Sequence, residues 1–367
     1  MNNTKWPVDY DEIIQRVQDV HPVLYAKTRN FIDGKVSRLS PYISRGVISL
    51  PLVLRTVLQK YKRFDAEKFI QELAWREYWQ RTWEDKSDAI FSDLKKPQDD
   101  VGHFQVPLAI LEGRTGITVI DKEIRNLAET GYIHNHIRMY IASITCNIGK
   151  AHWWQPAKWM YYHLLDGDLA SNSLSWQWVA GSNASKKYYC NQDNVNHYTK
   201  TMQAGSFLYH TYDELPGLPV PEVLRDHGLP LLQVSLPEST LTESDAQKIF
   251  VYNSYNLDPM WRRDEKGLRV LLMEPSHFNE FPVSQVVMQF ILDLSRMVPG
   301  IQVFCGSYQE LKTMYPNAIC YFKKHPLTKH YTGFADDPEY LFPGVTGYYP
   351  SCMAYWKQCE KQLKKLS

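Results

Sequence analysis

The apolar pattern of this 367-residue chain changes period once, and that change limits the folds open to it. Up to about residue 205, apolar residues recur every three to four positions, the repeat of helices with a buried face, and strand signals are few. Residues 66–84 and 118–148 show it most clearly; the second stretch is broken at Thr130-Gly131, where one helix should stop and another start. From about residue 246 short apolar runs take over, and KIFVYNS, LRVLLM, IQVFCG and NAICYF each read as a buried strand. Between the second and third lies VSQVVMQFILDLSRMV, in which Val283, Val286, Val287, Phe290, Ile291, Leu294 and Met297 form one apolar stripe. Ser307 and Glu310 form a capping box that opens the next helix. Strands alternating with helices imply parallel strands in a small α/β layer. Pro216, Pro219, Pro221, Pro230 and Pro237 mark the stretch between the halves as a linker or a loop wrapped on the surface. Residues 326–350 read as loop and 351–365 as a closing helix. The expected organisation is a mainly α domain over 1–205, a Pro-rich linker over 206–245 and a small α/β parallel-sheet domain over 246–367.

Composition narrows the function. A net charge of +1 gives no global attraction for polyanions, so a basic face would have to be local. Cys146, Cys190, Cys305, Cys320, Cys352 and Cys359 form no CxxC pair or zinc-like cluster, which predicts reduced, mostly buried thiols in a cytoplasmic protein and no bound metal. The N-terminal MNNTKWPVDYDEII lacks a basic-then-apolar signal, and no apolar run approaches the ~20 residues of a membrane span. Eleven Trp and twenty-four Tyr suit large cores, stacking on rings or movement of electrons. GxGxxG, GxxxxGK[ST] and GxSxG are absent, so the α/β half carries no nucleotide or hydrolase signature of its own.

Four stretches, YAKTRNFIDGKVSRLSPYISRGVIS (25–49), ELAWREYW (72–79), EGRTGITVIDKEIRNLAETGYIHNHIRM (112–139) and LLDGDLASNSLSWQWVAG (164–181), resemble the photolyase/cryptochrome family in order and spacing. The resemblance implies an all-helical domain that binds FAD in a folded form. Ser37-Arg38-Leu39-Ser40 matches the stretch that wraps the FAD phosphates; hydroxyls, backbone N–H groups and a guanidinium suit an anion, although read alone it would be a helix N-cap. Tyr25 matches a flavin-contacting Tyr, Arg29 and Arg76 lie on the DNA side, and Phe69 stands where relatives often have a flavin-pocket Trp.

Glu72, Trp75 and Arg76 fall at i, i+3 and i+4 on one helix face. The resemblance gives Glu72 a hydrogen bond to the damaged base and Trp75 a stacking role; read alone, they would be an intrahelical pair and a core anchor. Asn135, Arg138 and Met139 repeat the spacing, with Asn135 and Met139 over the substrate and Arg138 beside the flavin. Relatives that repair (6-4) photoproducts carry His at both positions, one of them for acid catalysis, whereas Asn and Met resemble enzymes for cyclobutane pyrimidine dimers. The flanking His134 and His136 read as surface or satisfied core histidines, and His136 replaces a usual Arg.

The last stretch is the most specific. Asp166, Gly167 and Asp168 match residues holding the ribityl and isoalloxazine edges; alone they would suggest a turn or a metal loop. Asn172 matches the residue facing flavin N5, Trp176 and Trp153 the first two members of a photoreduction chain, and Trp178 a wall of the substrate pocket. Ile110 stands in the third chain position and cannot be oxidised there, which leaves Trp154, Trp159 or a nearby Tyr as substitutes.

Two further departures matter. Relatives carry an α/β domain, often with an antenna pigment, before the helical one; here FVYNSYNLDPMWR and VLLMEPSHF, similar to its opening strands, come after it, which suggests a relocated antenna-like domain whose pigment stays unknown. After WVAG the family pattern gives way to KKYYCNQDNVNHYTK, where Lys186, Lys187 and Lys200 are the cations left to meet DNA phosphates. The resulting expectation is light-driven repair of cyclobutane dimers in UV-damaged DNA by electron transfer from reduced FAD. The alternatives are a blue-light photoreceptor that signals through a protein partner, and a light-independent flavoprotein.

Overall fold

In the computed structural model, which describes residues 6–242 and 245–365, side-chain chemistry sets many of the helix ends. The first five residues of the N-terminal stretch searched for a signal lie outside the described ones. Asp9 caps α1 (Tyr10–Gln18), its Oδ1 accepting from the Asp11 and Glu12 amides at 3.0 and 3.1 Å. The chain then forms α2 (Pro22–Thr28), α3 (Ser40–Ser44), α4 (Leu50–Lys60) and the long α5 (Arg63–Lys86). Strand β1 (Val106–Pro107) leads into α6 (Leu108–Leu111) and α7 (Thr118–Thr130). Helix α7 stops at the expected break, because Gly131 takes φ 73°, a left-handed conformation that glycine adopts without strain. The helical stretch expected to run to residue 148 is α8 (Asn135–Ala142), continued over Ser143–Ile148 as a π-helix. Helices α9 (Trp154–His163), α10 (Leu169–Ala180) and α11 (Gln192–Thr199) follow, then the short β2 (His227–Gly228).

Four strands of the second half fall at the expected apolar runs, and a fifth, over Phe334–Asp336, lies in the stretch 326–350 expected as loop, too short and too mixed to show as an apolar run. Strands β3 (Lys248–Tyr252), β4 (Leu268–Met273), β5 (Ile301–Cys305), β6 (Ile319–Lys323) and β7 (Phe334–Asp336) form one parallel sheet in the order β5-β4-β3-β6-β7. Central β3 pairs Val251 with Val270 of β4 and Ile249 with Cys320 of β6. Helices α12 (Pro275–Glu280), α13 (Gln285–Ser295) and α14 (Tyr308–Met314) lie between the strands, and α15 (Cys352–Leu363) closes the described chain. The capping box at Ser307 and Glu310 is present. Val287, Phe290, Ile291 and Leu294 of α13 are buried; Val286, expected in the same stripe, sits at its edge and is exposed.

By its internal contacts the chain divides into two units, one of residues 1–23, 37–84 and 233–367, the other of residues 24–36 and 85–232. The division cuts across the boundaries expected at 205 and 245, since residues 37–84 group with the sheet. Within the first unit, the buried Glu77 of α5 ties the segment 37–84 to the segment 233–367. Its carboxylate accepts from the amides of Leu341 and Phe342 and from the Tyr355 hydroxyl.

The order of strand addition in the first unit's parallel sheet reverses between β3 and β6, where such sheets leave a crevice at the strands' carboxyl ends. There Tyr255, after β3, stacks on His325, after β6, with centroids 4.8 Å apart. Trp83 meets His325 edge-on at 5.0 Å, and the fully buried Arg45 lies over Tyr255.

In the second unit α6 to α10 share one apolar core that also takes in Leu208, Leu215 and Leu224. Of the two readings of the Pro-rich segment, a linker or a loop wrapped on the surface, residues 208–224 follow the second, as a strap with buried anchors, and just beyond them β2 pairs antiparallel to β1. None of the six cysteines is in a disulfide, and all but the half-buried Cys305 are buried, as expected.

Candidate functional site

The second unit holds the densest group of expected site residues. Arg138 of α8 donates from Nε to the Ile133 carbonyl at 3.0 Å and from Nη2 to Asp166 Oδ2 at 2.9 Å. Asp166 is buried in the turn from α9 to α10, and the ion pair fixes the guanidinium plane. Gly167 is required there: a Cβ would stand 2.9 Å from the Leu164 carbonyl oxygen and 3.2 Å from that of Tyr161. Asp168 is the N-cap of α10, its Oδ1 accepting from the Ser171 amide at 2.7 Å and the Ser171 hydroxyl at 2.8 Å. The turn Asp166-Gly167-Asp168 thus presents two buried carboxylates, each anchored on one oxygen by a named donor.

One turn into α10, the half-buried Asn172 donates from Nδ2 to the Ala157 carbonyl at 2.9 Å, which sets the orientation of its amide. Trp176 is buried one turn further on; Trp178 is half-buried, its ring 5.8 Å from that of Tyr188. Trp153 and Ile110 are fully buried in the same core cluster as Trp176. The Trp153 indole N–H donates to Asp93 Oδ1 at 2.7 Å. Trp154 is half-buried and meets Trp153 edge-on at 5.4 Å.

On α8, Asn135 is exposed and Met139 half-buried. The histidines beside Asn135 are both engaged. His134 caps α8, Nδ1 accepting from the His136 amide at 3.2 Å. His136 bonds through Nδ1 to the Asn30 carbonyl at 2.8 Å and lies 4.6 Å from the rings of Tyr140 and Tyr198. Burial lowers its pKa below the ordinary range, and the Arg29 charge adds to this against the Asn30 bond, so the ring is neutral at pH 7. Tyr25 and Arg29 on and after α2 are half-buried. Of the lysines after WVAG, Lys187 donates to the Asp99 carbonyl at 2.7 Å and Lys200 pairs with Asp33 at 2.5 Å.

The first unit holds the rest. Arg38 is exposed and takes φ 54°, which turns the chain sharply into α3. Ser37 and Ser40 on either side are half-buried, and Leu39 is buried in the core. On α5, Phe69 is buried, Trp75 is half-buried, Glu72 pairs with Lys68 at 2.9 Å, and Arg76 donates to the Ser44 hydroxyl at 3.1 Å.

Sequence reasoning missed Asp93 and Glu77. A lone Asp in a loop carries no periodic signal. Glu77 follows the Trp75-Arg76 pair, but only its buried setting distinguishes it from a solvated charge.

Comparison with known proteins adds the family. The family described as the FAD binding domain of DNA photolyase matches residues 69–256, a span that leaves out Tyr25, Arg29 and Ser37 to Ser40. A deoxyribodipyrimidine photo-lyase of Streptomyces griseus is 34% identical over 150 residues, covering 40% of this chain and 32% of its own. One of Buchnera aphidicola is 27% identical over 252 residues, covering 62% of this chain and 50% of its own. The chain thus spans between about a third and a half of the length of these relatives. Among solved structures, a Synechocystis cryptochrome aligns with a TM-score of 0.46 at 23% identity, over 59% of this chain and 48% of that one. No helix among the described residues is long and apolar enough to cross a membrane.

Proposed function

The chain belongs to the family of FAD-binding domains of DNA photolyases, and on that premise we propose that it is a light-driven repair protein that splits cyclobutane pyrimidine dimers in DNA. The observation that carries the choice of substrate is the first turn of α8. Asn135 and Met139 are not Brønsted acids, and Nδ1 of His134 and Nδ1 of His136 are given to the helix cap and to the Asn30 carbonyl. Oxygen transfer in a (6-4) photoproduct needs an acid at the substrate; splitting a cyclobutane ring with one electron does not.

The residues fit a flavin by their chemistry. In the second unit Arg138, Asp166, Asp168 and Asn172 supply anchored donors and acceptors for a ring edge and ribityl hydroxyls, with Gly167 and Tyr25 completing the set. In the first unit Ser37, Arg38, Leu39 and Ser40 supply hydroxyls, backbone N–H groups and an exposed cation for a diphosphate, with Phe69 as an apolar neighbour of the flavin. FAD, when bound and reduced, supplies the light absorption and the electron. The protein's share is positioning. In the first unit Glu72 is the residue to hydrogen-bond the dimer, Trp75 to stack on it and Arg76 to take a phosphate; in the second unit Asn135, Met139 and Trp178 are substrate residues, Arg29 takes a phosphate, and Trp176 and Trp153 restore the reduced flavin.

The commitment of Lys187 to Asp99 and of Lys200 to Asp33 favours a second reading, a photoreceptor whose partner is a protein, because these cations are not spare for DNA phosphates. One experiment separates the two. Reduced holoprotein is illuminated with an oligothymidine carrying cyclobutane dimers, and recovery of the thymine absorbance is followed. Repair predicts recovery that requires light and falls by about fivefold or more in Trp75→Ala, from the loss of about 1–3 kcal/mol of stacking. Bound, photoreducible FAD without recovery would overturn repair in favour of signalling.

A further inference from the structure

We infer that Asp93 is the proton acceptor for oxidised Trp153 and makes Trp153 the terminus of this chain's light-driven electron path; the inference rests on the FAD and tryptophan reading above. Ile110, in the same buried cluster as Trp153, stands by the family resemblance where a third tryptophan would continue the path, so an electron hole that reaches Trp153 must move to a neighbour or be held. The neighbour is Trp154, edge-on at 5.4 Å. The local charges favour holding. A carboxylate oxygen of Asp93 lies 2.7 Å from the Trp153 indole nitrogen, and an anion there stabilises a positive charge on that ring. The Lys158 ammonium lies over the Trp154 ring, 5.6 Å from its centroid, and a cation there disfavours positive charge on it.

The carboxylate is held in register. Asp93 Oδ2 accepts from the Gln98 amide at 2.9 Å, and the Gln98 side chain accepts from the Trp153 backbone N–H at 3.0 Å, which closes a ring of contacts around the indole. His152 Nε2 lies 3.5 Å from Asp93 Oδ1, and the carboxylate is 22% exposed, so the proton has an onward route to imidazole or water.

The step balances as follows. Bound oxidised FAD would supply the light-driven oxidant, and one electron leaves the Trp153 ring by way of Trp176. The indole N–H bond breaks, its electron pair stays on nitrogen, and the proton forms an O–H bond on Asp93. On this chain the products are a neutral tryptophanyl radical at Trp153 and a protonated Asp93, the electron having passed to the bound oxidant. An external thiolate later gives one electron to the radical and becomes a thiyl radical, and the proton returns from Asp93 to the indole nitrogen.

The test is transient absorption of the oxidised holoprotein with Asp93→Asn and Trp153→Phe variants, together with indole N–H nuclear magnetic resonance in the dark. In the wild type the indole radical cation gives way to the neutral radical, more slowly in deuterated water. In Asp93→Asn the cation persists, its deprotonation slowed by about a hundredfold, the contribution of one positioned base. Its indole N–H resonance also moves upfield in the dark. Equal deprotonation rates in wild type and Asp93→Asn, or an unmoved resonance, would overturn the assignment to Asp93. Unchanged photoreduction in Trp153→Phe would instead overturn the tryptophan path on which it rests.

Discussion

Glu77 and Glu72 stand five positions apart on α5 and do different work. Glu72 is partly exposed and pairs with Lys68 one turn back. Glu77 is buried and accepts from the amides of Leu341 and Phe342 and from the Tyr355 hydroxyl, groups 264 to 278 residues further along the chain. Truncating it leaves two buried amides and a buried hydroxyl without their acceptor, a larger cost than losing an exposed pair. Glu77→Ala should lower stability by about 3 kcal/mol and Glu72→Ala by less than about 1 kcal/mol, read from urea midpoints at constant slope. Equal losses would show that the Glu77 bonds carry no special weight.

The strap around β2 is an element whose hold depends on pH. His227 stacks flat on His103 with ring centroids 4.0 Å apart, and its Nδ1 bonds to the Gln105 side chain. His103 bonds through Nε2 to the Gly149 carbonyl at 3.1 Å. Burial and then the neighbouring His227 lower the His103 pKa below 6.5, outweighing its backbone bonds. The folded ring therefore resists a proton that the unfolded chain accepts, and the contribution falls as pH drops from about 6.5 towards the lowered value. Hydrogen exchange at residues 224–228 should accelerate between pH 7 and 5 relative to α7, after correction for intrinsic rates. His103→Gln should remove the difference, and uniform exchange would show that the stack is not the clasp.

At the scale of the molecule, each unit contains one histidine whose pKa burial pushes down to about 4: His277 in the first and His163 in the second. Both are neutral at pH 7 whether the chain is folded or not. Below their ordinary value of 6.5 the unfolded chain binds protons that the folded one does not, so stability falls from about pH 6.5 down to about 4 and levels off for these groups beneath it. Thermal midpoints across that window should fall less steeply in His277→Gln and His163→Gln than in the wild type; parallel curves would contradict the assignment. The sequence alone determined the strongly periodic helices, four of the five parallel strands, the break at Gly131 and the box at Ser307, because repeat period and cap chemistry are local. The four ordered motifs likewise sufficed for the FAD-binding family. Only the tertiary structure decided which distant group each polar side chain meets: Glu77 with Leu341, Asp93 with Trp153, His136 with Asn30, and the grouping of residues 37–84 with the sheet. A buried hydrogen bond is chosen by packing between segments far apart in the chain, and no period along the sequence records it.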